Sequence, residues 1–177
     1  MVTANLVQAV RQHLFTDRDA QVFAILDGAS VPGLQMGLYQ HQPAYSCLYR
    51  GELAPDMAAV APYLVLLEPA AAFTDWVLSQ GWGQHWGIFA VSDVDIRELC
   101  RHFRRFLIIY GSDGKPLLFR YYDPRVLRLY LPTCNAEELA TVFGPVRSYI
   151  LEEENPQMAL QVRVASGALR QDRLRLA

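Results

Sequence analysis

Leu117-Leu118-Phe119-Arg120-Tyr121-Tyr122-Asp123-Pro124-Arg125-Val126-Leu127 organises this chain more than any other run. Leu117 to Tyr122 is apolar and aromatic, of strand length, and interrupted only by Arg120. Asp123 follows as an N-cap carboxylate, and Pro124 suits the first helical position, where no backbone donor is needed. Val126, Leu127 and Tyr130 then supply the inner face of a short helix. The pattern predicts a buried strand running straight into a helix, with charges at the corner. An unpaired guanidinium among apolar residues is costly, and Asp123 is the near partner for Arg120 in sequence. Arg120 and Asp123 are thus either a structural latch or part of a charged recognition site.

On the amino-terminal side, buried strands are predicted at 22–26, 63–67 and 85–91, with helices over 3–15, 33–39, 70–80 and 93–104. A brief strand is expected over 45–49, and Ser92-x-x-Asp95 reads as a capping box. Ile108 to Tyr110, Gly111-Ser112-Asp113-Gly114 and Pro116 to Tyr122 form a hairpin signal. Beyond the corner come short helices near 124–131 and 136–143, then strands over 146–152 and 158–164. The order implies an α/β fold, a mixed β-sheet with packed helices, in a single domain of two lobes divided softly near residue 110. Residues 1–165 make that domain, and 166–177 form a tail that frays or adopts an exposed helix.

At 177 residues the chain can bury a substantial core, and with 52% hydrophobic against 19% charged residues it is not disordered. A net charge of −2 provides no field for nucleic acid or an acidic membrane, so neither is an expected partner. The longest apolar run, Met57 to Leu67, is too short to span a bilayer, and the amino terminus lacks signal-peptide character. Cys47, Cys100 and Cys134 are odd in number and widely spaced, without CxxC or zinc-ligand spacing. A reducing cytoplasm, no metal and no cofactor are the expectation.

Ile96, Leu99, Cys100 and Phe103 follow the spacing of a core-facing helix. Arg97, Arg101 and Arg104 share an adjoining stripe that Arg105 extends. Such a stripe either grips an acidic partner through forked hydrogen bonds or is a solvated helix face. Among the aromatic residues, Trp76 and Phe89 belong in the core, and Trp82, between Gly81 and Gly83, is the candidate exposed anchor. His102 falls opposite the apolar stripe and should be solvated. Nucleophile elbow, P-loop, dinucleotide fingerprint and HExxH motifs are absent from the sequence. A small hydrolase using the strand-end carboxylates Asp27 and Asp123 is the remaining enzymatic reading; otherwise no catalytic residue is expected.

Phe23-Ala24-Ile25-Leu26-Asp27-Gly28-Ala29, Tyr63-Leu64-Val65-Leu66-Leu67, Trp86-Gly87, His102-Phe103-Arg104-Arg105-Phe106 and Leu118 to Leu127 recur in an order that resembles the bacterial type VI secretion adaptor family. The resemblance covers about residues 20–145. It implies a cytoplasmic, non-catalytic chaperone that binds a secreted effector protein and helps load it onto the valine–glycine-repeat spike protein. Arg104, Arg105, Arg120, Asp123 and Arg125 match the motif positions. Partner binding is assigned to Arg97, Arg101, Arg104, Arg105, Arg125 and Trp82, and the latch to Arg120 and Asp123.

Overall fold

The structure, a computed structural model, describes residues 3–111 and 113–176. Its strands are β1 (Gln21–Asp27), β2 (Tyr45–Cys47), β3 (Pro62–Leu67), β4 (Gly87–Ser92), β5 (Ile108–Tyr110), β6 (Pro116–Leu118), β7 (Val146–Glu152), β8 (Met158–Ala165) and β9 (Ala168–Arg175). The α-helices are α1 (Ala4–Leu14), α2 (Leu34–His41), α3 (Pro55–Val60), α4 (Ala72–Trp76), α5 (Ile96–Phe103), α6 (Pro124–Tyr130) and α7 (Ala136–Phe143). A π-helical turn over Val77–Gly81 prolongs α4.

Seven strands form one sheet in the order β2-β3-β1-β4-β7-β8-β9, and β5 pairs with β6 in a separate hairpin. The expected α/β class, helices packed on one large sheet, is what the chain adopts. Strand directions are uniform where a mixed sheet was expected: every ladder is antiparallel.

Continuous apolar runs in β1 and β4 follow from helices on both sides, so neither face of these strands can be polar. Val22, Ala24 and Leu26 pack with α1, α2, α4 and the π-turn, alongside Trp82, Trp86 and Phe89. Phe23 and Ile25 point the other way, into α5, α6 and α7. The two cores are therefore the two faces of the sheet, and the division expected near residue 110 is not a boundary between lobes. Phe103 anchors the second core, stacked on Tyr121 with ring centroids 5.7 Å apart. Truncating a buried ring of this kind costs about 3–5 kcal/mol.

The local signals mostly act as read, with shifted details. Asn135 and Glu138 form a reciprocal capping box on α7. For α5 the cap is Asp95, whose carboxylate accepts from the Glu98 amide, whereas Ser92 donates to the Pro145 carbonyl at 2.7 Å. Leu117 and Leu118 are exposed rather than in a buried strand, and β6 ends at Leu118, before the corner. Residues 168–175 are the outermost strand of the large sheet, not a frayed or helical tail, because β8 offers them a full antiparallel register from Met158↔Arg175 to Ala165↔Ala168. Ser112, part of the expected turn, and Ala177, the end of the expected tail, lie outside the described residues.

Candidate functional site

The Asp123 corner sits at one end of the large sheet and is built from three buried carboxylates: Asp27, Asp123 and Glu152. Asp27 closes β1. Its Oδ1 accepts from the Ala29 amide at 3.0 Å and its Oδ2 from Ser30 Oγ at 2.8 Å, which fixes the turn into the next segment. The backbone is squeezed there: the Gly28 amide donates to the Ala61 carbonyl, and a Cβ on Gly28 would lie 2.4 Å from that oxygen.

Arg120 pairs with Asp27, not with Asp123. The expected latch is therefore split into two pairs. Asp123 caps α6 through the Arg125 amide at 2.9 Å and holds the Arg125 side chain with two further bonds, Nε at 3.0 Å and Nη2 at 2.7 Å. The physical reason is reach. Arg120 precedes a turn that carries its guanidinium back across the end of β1, while Arg125 in the first turn of α6 is already beside the capping carboxylate. Burial raises the Asp123 carboxyl, but the Arg125 hydrogen bonds more than offset this and leave it below its ordinary value. Arg125 is half-exposed, with Nε and Nη2 held in this pair.

Glu152 ends β7 and is 2% exposed. Burial pushes its carboxyl up to about 7, although the His85 and Gly83 amides donate to it. The His85 amide bond is 3.0 Å, and His85 Nδ1 lies 3.1 Å from the same oxygen without the alignment of a hydrogen bond. Burial, with Arg125 next, holds the imidazole below its usual pKa. The corner thus joins β1, β7, α6 and the loop before β4. Its carboxylates serve turns, caps and arginines.

Trp82 is 1% exposed and cannot be a surface anchor. Its indole donates to the Pro156 carbonyl at 2.8 Å and stacks on Phe89, pinning the β7–β8 turn to the helical layer. Of the flanking glycines, read as loop, Gly81 makes room for the ring of Trp86, and Gly83 turns the chain at φ +80° beside Pro156. His102 is likewise buried: its Nε2 lies 3.0 Å from the Val142 carbonyl, and its ring fills the space that a Cβ on Gly144 would need. Gly144 has φ +45°, so a side chain there is disfavoured on both counts. Helices α5 and α7 lie on the same face of the sheet, and the end of α7 with Gly144 covers His102.

The arginine stripe divides where the helix stops. Arg97, Arg101 and Arg105 are exposed, and the last two flank a shallow cleft of about 380 Å³ against Thr141 and Pro145 of the α7 end. Helix α5 ends at Phe103, so Arg104 leaves the stripe. Its Nη2 donates to the Cys47 carbonyl of edge strand β2 at 2.7 Å. There it borders a different cleft, about 470 Å³, lined by Leu48, Tyr49, Arg50, Leu53, Leu107 and Ile108.

The hairpin rising from this cleft was legible only as a pair of strands. Ile108, Ile109, Tyr110, Leu117 and Leu118 are all exposed, Tyr110 by 74%. Registers Ile108↔Leu118 and Tyr110↔Pro116 place one apolar set on one face, and Ile109↔Leu117 places another on the opposite face. Neither face is polar. The only sequence signal was the lack of alternation, which reads equally as burial on both sides.

An antiparallel sheet sandwiched between helical layers, with a charged corner and a protruding apolar hairpin, is the class of domain these features define. Over residues 22–141 the chain matches the family described as a domain of unknown function, DUF4123. That span is more than half of its length, and the chain belongs to this family. No curated protein and no solved structure matches it. Among the described residues, no helix is long and apolar enough to cross a membrane, and no cluster of His, Cys, Asp and Glu could hold a metal ion.

Proposed function

We propose that the protein is a type VI secretion adaptor that binds a secreted effector protein and helps load it onto the valine–glycine-repeat spike protein in the cytoplasm. The observation that carries this reading is the hairpin β5–β6, with large apolar side chains exposed on both faces. Isolated hairpins are marginal in water, and apolar patches of this kind mark surfaces that another chain covers. Membership in the family over residues 22–141, the range that contains the hairpin and the motif residues, supports the same reading. Binding of this type requires no cofactor and no catalytic residue.

The hydrolase reading would need Asp27 and Asp123 available to a substrate. Both oxygens of each carboxylate are instead occupied by turn, cap and arginine donors. The test is co-expression with the candidate effector encoded nearby, followed by size-exclusion chromatography and a secretion assay. A stable complex, and loss of that effector alone from the secreted fraction when the gene is deleted, are expected. Absence of any complex together with unchanged secretion would reject the adaptor role.

A further inference from the structure

The cleft at the base of the hairpin has a chemistry of its own. Leu48 and Leu107 are buried in its floor, Leu53 sits at its side, and Ile108 joins it to the hairpin face that carries Leu118, Tyr110 and Pro116. The charged side chains in its lining are Arg50 and Arg104, with no acid among them. Among the described residues no ion pair engages either guanidinium. Arg104 spends one nitrogen on the Cys47 carbonyl, and its Nε is buried without an acceptor. Several other arginines are matched, Arg120 by Asp27, Arg125 by Asp123, Arg147 by Asp17 and Asp93 and Arg163 by Asp172; Arg97, Arg101 and Arg105 have no ion pair among the described residues either, but they lack this cleft's apolar floor. An apolar trough with a cationic rim and unmatched charge is complementary to an apolar peptide bearing a negative group.

We infer that this cleft and the adjoining hairpin face bind a short apolar segment of the cargo chain that carries a carboxylate, the side chains entering between Leu53 and Ile108 and the carboxylate meeting Arg50 and Arg104. This rests on the adaptor reading and deepens it: it assigns the cargo-binding surface to the side of Arg104 that faces β2, not to the Arg97–Arg101–Arg105 stripe. Arg104 has a double role here, since the bond to Cys47 also holds edge strand β2 in place, so the test avoids it.

The probe is a phage-displayed library of random dodecapeptides selected on the wild-type protein. Enriched peptides are expected to combine large apolar residues with Asp or Glu. They should bind wild type about tenfold or more tightly than the Tyr110→Glu/Leu118→Glu variant, a difference of about 1.4 kcal/mol. Arg50→Glu should shift the preference from acidic to basic peptides. Both variants replace side chains outside the core, and an unaltered circular-dichroism melt verifies the fold. Recovery of no binder, binders without acidic residues, or equal binding to the double variant would each overturn the inference. So would sedimentation showing a wild-type dimer that Leu118→Glu dissolves, because the occupant would then be a second copy of this chain. The parent reading fails separately. Cargo capture that survives the double variant rejects this cleft and leaves the adaptor role standing, whereas peptide binding without capture of any effector by wild type supports the cleft's chemistry and rejects the adaptor role.

Discussion

Residues 108–118 and residues 119–127 are neighbours in the chain and nearly alike in apolar content, yet they meet opposite fates. The first makes a hairpin whose large side chains face solvent on both sides. The second buries Tyr121, Tyr122 and Leu127 and pairs its charges internally. Hydrophobicity sets which side chains seek cover; the distance to a sheet face decides whether the same molecule provides it. Tyr121 lies against Phe103 and donates to its carbonyl at 3.1 Å. Tyr110, 74% exposed, has no such neighbour among the described residues. The first region leaves its large side chains in solvent, and the second is covered by its own fold.

The comparison can be broken most severely at Asp27. Asp27→Ala removes a buried acceptor of the Ala29, Ser30 and Arg120 donors and should cost about 3 kcal/mol, read as a lowered urea midpoint. An unchanged midpoint would mean that the corner does not hold the fold.

Glu152 gives the next effect, through pH. Its folded pKa is raised from 4.5 to about 7, so the folded state binds the proton more tightly than the unfolded chain does. Stability from this group is fully present below 4.5 and declines as the pH rises through about 7, by about 3 kcal/mol. Glu152→Gln should flatten that slope in chemical denaturation at a series of pH values; an equal slope in both proteins would remove Glu152 as its source. Asp123 acts in the opposite sense. Its folded pKa is lowered, so its stabilisation holds above the ordinary 3.8 and is lost as the pH falls below it.

Asp123→Ala should lower stability by about 1–2 kcal/mol, through the lost cap and the released Arg125. A thermal melt matching wild type would deny the cap any weight. The smallest effects belong to the surface. Arg104→Ala should cost about 1 kcal/mol through its bond to Cys47, while Arg105→Ala and Leu117→Ser should each stay within about 0.5 kcal/mol. Equal losses at Arg104 and Arg105 would restore the view of a single undivided stripe.

The strands and helices were readable where a periodic pattern coincided with a local stop signal. Val22 to Leu26, with Asp27 after it, and the Asp123-Pro124 helix start both carry the two signals. Partners were not readable. Asp27 and Arg120 are far apart in sequence and meet only because β1 lies inside the sheet. Trp82 looked exposed because glycines usually signal loops, whereas here Gly81 gives way to the neighbouring Trp86 ring and Trp82 is held inside by the Pro156 carbonyl. His102 was misplaced because a helical wheel knows one packing partner, whereas α5 packs on the sheet and also meets the end of α7 at Val142 and Gly144. The tail lacked strand character in its charges, Arg170, Asp172, Arg173 and Arg175; such charges suit an outermost strand, where they discourage further pairing.

The placement of the indoles has a practical corollary. All three tryptophans, Trp76, Trp82 and Trp86, belong to the layer packed against α1, α2 and α4, and the hairpin carries none. Intrinsic emission will therefore follow melting of that layer and remain dark to a ligand settling on β5–β6. Fluorescence titration of a peptide onto the hairpin needs a dye on the peptide or an indole introduced at Tyr110.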